Sequence, residues 1–188
     1  MLEGRVLYAD HDRVHVLRYV GDVRHPLAPS VSRFIDSLFD RMDADDPGKS
    51  PKGDDLVVDL SETEAIDSTN LGEIARIADL MSARGSKRAA IISTRPEISQ
   101  VLFSMAFDEV FDICTEPTGA NATTARSSAA FGKPIPSVDA SRDASLRTIL
   151  SAHRRLMQMS ESNLKQFSEV VDLMERELGA SSSGAKSI

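Results

Sequence analysis

The chain has 188 residues, 41% hydrophobic but only 5% aromatic, so a single domain with an appendage must build its core from Leu, Ile, Val, Ala and Met. A net charge of −7 with no sizeable Lys/Arg run argues against nucleic acid, whose phosphates require clustered positive charge. No apolar run approaches the ~20 residues of a membrane span, the N-terminus lacks signal-peptide features, and the single cysteine, Cys114, excludes an internal disulfide, which together predict a soluble protein of a reducing, cytoplasmic compartment.

Residues 5–9 and 14–20 are short β-branched or aromatic runs joined by "DHDR", which predicts a hairpin whose second strand ends at Gly21. After Pro29-Ser30, the residues Val31, Phe34, Ile35, Leu38 and Phe39 recur at helical spacing. The stretch 43–55 carries two prolines and two glycines and reads as a mobile loop. "LVVDL" (56–60) predicts a strand covered on both faces. Leu71, Ile74, Ala75, Ala78 and Met81 mark one face of a helix that Gly85 stops. "AAIIS" (89–93) is another buried strand. Thr94-Arg95-Pro96-Glu97 then gives a capping box for a helix with its apolar stripe at Ile98, Val101, Leu102 and Met105, and "VFDI" (110–113) is a last strand. Strands alternating with helices imply right-handed crossovers and an α/β fold, a mixed but mostly parallel sheet with an N-terminal antiparallel hairpin.

The composition divides the chain into a domain at 1–114, a flexible Ala/Ser/Thr/Pro-rich linker at 115–143, a helical segment at 144–178 and a disordered tail at 179–188. In the helical segment Leu146, Leu150, His153, Met157, Ser160, Leu164, Phe167, Val171, Met174 and Leu178 are spaced alternately four and three apart, a heptad seam with two polar members. Such a seam either packs on its own domain or zips with a partner, a second copy or a phosphatase. It is either one long helix or, if "MSESN" (159–163) breaks it with Ser160 as a cap, a helical hairpin.

Four residues that favour helix starts, Asp67-Ser68-Thr69-Asn70, stand in a row. One cap satisfies the unpaired N–H groups of a first turn, so four exceed the need. Simple capping is one reading. The other is a phosphate seat, because those N–H groups and the helix dipole favour negative charge, and a serine there accepts phosphate without unravelling the helix.

"LVVDLSETEAIDSTNLGEIARIADLMSARG" resembles the core of a STAS domain, the fold of anti-sigma factor antagonists: a strand ending in D-L, a short loop, an apolar residue, then D-S-[ST]-G-L-G opening a helix. Asp59-Leu60, Ile66, Asp67-Ser68-Thr69, Leu71 and Gly72 supply these landmarks, "VLRYVGDV" is similar to the family's strand ending in G-E/D-hydrophobic, and "LFSMAFDEVFDI" resembles its closing helix and strand. The resemblance spans residues 4–114. It implies a non-enzymatic antagonist without cofactor, phosphorylated at Ser68 by a serine kinase that doubles as anti-sigma factor, and dephosphorylated by a PP2C-type phosphatase. Asp67, Thr69, Asn70, Gly72, Asp22 and Arg24 would form the shell of the phosphosite and the partner surface. Asn70 replaces a usual Gly, and Asn tolerates unusual backbone angles. Arg24 replaces a frequent acid. The C-terminal extension resembles longer proteobacterial antagonists that act beside response-regulator phosphatases, and it leaves room for a homo-oligomer. The alternative is a STAS scaffold whose Ser68 is never modified and whose C-terminal helix drives assembly.

Other chemistry is poorly supported. His11 and His15 flank a hairpin turn with Cys114 remote, so they do not make a zinc site. Asp43, Asp45 and Asp46 begin like a calcium loop, but Pro47 and the lack of a closing Glu spoil it. Ser68 as a hydrolase nucleophile would want a G-x-S-x-G turn and a His base, and neither is visible beside Asp67 and Thr69.

Overall fold

A computed structural model describes residues 2–44, 55–115 and 132–184. Most of the loop expected at 43–55, with Asp45, Asp46 and Pro47 of the rejected calcium motif, lies outside the described residues, as do the first half of the linker and the last four residues. Six strands form one sheet in the order β5-β4-β3-β2-β1-β6: β1 Arg5–His11, β2 Val14–Val23, β3 Asp55–Ile66, β4 Ala90–Ile92, β5 Asp112–Cys114 and β6 Lys133–Pro134. The β1–β2 hairpin is antiparallel, while β2–β3, β3–β4 and β4–β5 are parallel. The mixed, mostly parallel sheet with its N-terminal hairpin is thus the one expected.

The hairpin turns on Asp12 and Arg13, with φ of 48° and 64°. Two consecutive left-handed residues are the geometry whose twist matches that of the strands it joins. β3 is longer than the five residues expected, because Glu62–Ile66 go on pairing with Val20–Val23 across two register shifts. Gly21, at φ 74°, sits at one of these shifts, and a side chain there would lie 2.6 Å from the Leu2 carbonyl. The bulged extension carries β2 and β3 to a common end, and that end holds the site.

Helices α1 (Ala28–Ala44), α2 (Ser68–Ala83) and α3 (Pro96–Ser104) make the crossovers. Side chains alternate across β3. Leu56, Val58 and Leu60 join the large core with Val31, Ile35 and Leu38 of α1 and Leu71, Ile74 and Ile77 of α2; Val57 belongs to a small separate cluster with Val16, Ala90 and Ile92. α3 starts differently from expectation. Its N-cap is Arg95, without a side-chain hydrogen bond, so Thr94 builds no capping box and Pro96 alone sets the first turn.

The C-terminal segment forms two helices, α4 (Arg142–Met159) and α5 (Glu161–Gly184), so the seam folds as a hairpin rather than a single rod. Ser160 breaks it in extended conformation (φ −159°, ψ 159°), and its hydroxyl accepts from the Asn163 N–H at 3.1 Å. α4 packs on α2 and α1, and α5 packs on α4. Leu156 and Phe167 enter the main core, whereas Leu164, a seam member, is 47% exposed and Asn163 is buried next to it; farther along α5 the seam residue Val171 is again buried. The segment expected as free linker is anchored at its described end. β6 pairs with β1, the Ile135 N–H donates to the Val6 carbonyl, and the Val138 N–H donates to Ser30 Oγ. The expected tail begins as helix, since α5 runs on to Gly184.

Candidate functional site

The four polar residues at the start of α2 divide their work. Asp67 is the cap: in extended conformation, its Oδ1 accepts from the backbone N–H of Asn70 and from Asn70 Nδ2, both at 2.9 Å. Its own N–H donates to the Val23 carbonyl, which ties the helix start to the end of β2. Thr69 is buried, and Asn70 is fully buried in ordinary helical conformation. Asn70 therefore needs no unusual backbone angle; it holds Asp67 in place. Ser68 is neither cap nor core, and its hydroxyl stays half-buried at the first helical position.

Among the described residues the Ser68 hydroxyl has one partner, and sequence reasoning missed it. Oγ lies 2.8 Å from Nε2 of His153 on α4, 85 residues away in the chain. His153 Nδ1 lies 2.9 Å from the Ile149 carbonyl. A carbonyl only accepts, so Nδ1 carries the proton, Nε2 is the acceptor, and Ser68 donates. Burial lowers the His153 pKa against the opposing pull of the Ile149 hydrogen bond and of Asp67, which keeps the ring neutral. Phe167 of α5 backs the imidazole, with ring centroids 5.2 Å apart.

The histidine that seemed missing is thus present, yet the surroundings are not those of a hydrolase. Beside Ser68, Gly72 meets α4 so closely that a Cβ on it would stand 2.5 Å from both Cβ and the carbonyl oxygen of Ala152. The pair lies in a packed helix–helix contact, and the clefts described elsewhere on the molecule are lined by other residues. A nucleophile needs an open position about 3 Å away for the reacting atom. Here α4 stands over that face.

Asp22 and Arg24 lie at the carboxyl end of β2, joined by an ion pair of 2.6 Å, with Asp22 opposite Ala65 in β3. His25 follows, its Nδ1 4.0 Å from Asp67 Oδ2. The chain therefore brings Asp22, Arg24, Asp67 and Ser68 to one end of the parallel strands, the end where open α/β sheets usually present their sites. Thr69, Asn70 and Gly72 lie beneath that surface.

A buried charge cluster supports the same face. Glu73, 1% exposed, lies 3.4 Å from Arg76 Nη1, and Arg76 also bonds Ser32 and Asp36 of α1. Burial raises the Glu73 pKa to about 7, against the pull of Arg155 and of a hydrogen bond to Ser32. Arg155 of α4 reaches across to Asp79 at 2.9 Å and to the Gly72 carbonyl at 3.3 Å. Among the described residues no group of three or more His, Cys, Asp or Glu gathers as a metal site; His11 pairs with Asp12, and His15 bonds the Tyr8 hydroxyl. No helix among them is long and apolar enough to cross a membrane.

No protein-family model and no curated protein sequence matches the chain. Among solved structures it is similar to a Thermotoga maritima protein described as a candidate anti-sigma factor antagonist, with 22% identity and a TM-score of 0.47 over 57% of this chain and 84% of that one.

Proposed function

We propose that this is a non-catalytic anti-sigma factor antagonist of STAS type, switched by phosphate on Ser68. The observation that carries the reading is the division of labour at the start of α2. Asp67 does the capping, Thr69 and Asn70 are buried, and Ser68 carries a half-buried hydroxyl that neither caps the helix nor enters the core and is held by one hydrogen bond to His153. A kinase transfers the γ-phosphoryl group of ATP to Ser68 Oγ; ADP leaves, and the hydroxyl proton goes to the kinase's base. The added charge of about −2 stands beside Asp67 at a helix start that tolerates it. Unmodified protein sequesters the kinase/anti-sigma factor through the surface around Asp22, Arg24, Asp67 and Ser68. Modified protein lets go, and a PP2C-type phosphatase, including forms fused to a response regulator, resets it.

Intact-mass and site-mapping spectrometry after incubation with the cognate kinase and ATP should find one added ~80 Da group on Ser68, absent in Ser68→Ala. Labelling that persists in Ser68→Ala and vanishes in Thr69→Ala overturns the assignment. A second reading, a scaffold whose Ser68 is never modified, draws on the engagement of that hydroxyl by His153. Protein taken from native cells in every growth state without phosphate on Ser68 would favour it.

A further inference from the structure

Four observations converge on the face of α2 that carries Ser68. The Ser68 hydroxyl donates to buried His153 on α4. Gly72, one turn on, is pressed against the backbone of Ala152. Arg155 clamps the same two helices through Asp79 and the Gly72 carbonyl. Behind this contact, Leu156 and Phe167 enter the main core. We propose that the C-terminal hairpin is a built-in competitor for the Ser68 face: phosphorylation and partner binding there each require it to lift off, and phosphate on Ser68 keeps it off. This rests on the reading of Ser68 as a phosphosite.

The exclusion is steric and electrostatic. A phosphoryl group bonded to Oγ removes the proton that His153 accepts and claims the space in which Nε2 sits, 2.8 Å away. The imidazole has no retreat, because Nδ1 is bound to the Ile149 carbonyl and Phe167 lies against the ring. The new dianion would also be half-buried beside Asp67, a position that costs desolvation and repulsion while α4 keeps water out. For the kinase the difficulty is access. In-line transfer needs a free approach to Oγ, and α4 occupies it.

The test uses the full chain. Phosphoserine is incorporated at position 68 during translation, and hydrogen exchange is followed over residues 142–178 and the first turn of α2. The phosphorylated protein should exchange about tenfold or more faster in both regions than wild type, an opening of roughly 1.4 kcal/mol. Ser68→Ala, which forfeits one hydrogen bond and adds no charge, should keep its protection. Unchanged protection in the phosphorylated protein overturns the proposal. A second arm measures phosphorylation rate in Ala152→Glu, which drives a carboxylate into the Gly72 contact, and in Arg155→Ala, a milder variant should the first not fold. Either should be modified faster than wild type, and equal rates overturn the proposal. If no kinase modifies Ser68 in any variant, the antagonist reading fails, while the exchange result still decides whether the hairpin and a phosphate exclude each other.

Discussion

Asp67 and Ser68 are neighbours in a row of four interchangeable-looking residues, yet only one of them caps. An N-cap side chain must reach back to the N–H three residues on, which Asp67 does with one oxygen. Asn70 donates its side-chain N–H to that same oxygen and so spends its polarity inward. Glu73, one turn further along the same helix, contributes a different property. Its folded-state pKa of about 7 exceeds its ordinary value of 4.5, so the folded protein holds a proton that the unfolded chain releases between these values. The stability this group contributes is complete below about 4.5 and is lost as pH rises through 7, a span of about 3 kcal/mol. His153 has the opposite sign: buried neutral, it loses stability as pH falls below its ordinary 6.5. Glu73→Gln should therefore remove the decline between pH 5 and 8 and leave only the rise due to His153, which urea titrations across that range would show. A decline that survives in the variant would mean Glu73 is ionised throughout.

At the scale of elements, much of the fold was legible because periodicity and capping are local. The hairpin, the crossover helices and the positions of β3 and β4 follow from patterns in their own residues. What was not legible depended on contacts distant in sequence. The resemblance implied a short loop after Leu60, but Glu62, Thr63, Ala65 and Ile66 pair with β2. Residues 133–134 read as linker, yet an open edge on β1 recruits them. His153 read as a weak point in a heptad seam, and its meaning appears only when α4 crosses α2. At the break between α4 and α5, Asn163 is fully buried and donates to the carbonyls of Leu156 and Met105. Asn163→Ala would orphan both, and should cost about 2 kcal/mol in thermal or chemical unfolding. The loss should fall on the hairpin, with faster hydrogen exchange in α5 than in β2 or β3. Uniform loss across the fold would mean that hairpin and domain unfold as one unit.

For the molecule as a whole, the question is whether the domain stands without its C-terminal helices. Leu156 and Phe167 join a core whose other buried members precede residue 115, with Ile135, Met157 and Met159 packed against it. Most of that core, including Tyr19, Ile35, Leu60, Ile74 and Phe107, stays covered by the sheet and α1–α3. Deleting residues 142–188 should leave a folded, phosphorylatable domain of lower melting temperature, whose uncovered α2 face self-associates at high concentration. Circular dichroism and light scattering would report both. An unfolded truncation would mean that the hairpin is an integral layer of the fold and that the domain extends beyond residue 114.

The anchoring of β6 sets how far such a hairpin can travel. Val138 is fixed by Ser30, and α4 begins at Arg142, so only residues 139–141 lie between the last tie and the helix. Three extended residues reach about 10 Å. Once lifted, the hairpin stays on so short a leash that its local concentration at α2 is in the millimolar range or above. Any protein that takes its place must outbid an occupant that never diffuses away. The same helices supplied as a separate peptide would be a far poorer rival, because nearly all of their advantage resides in three residues of tether.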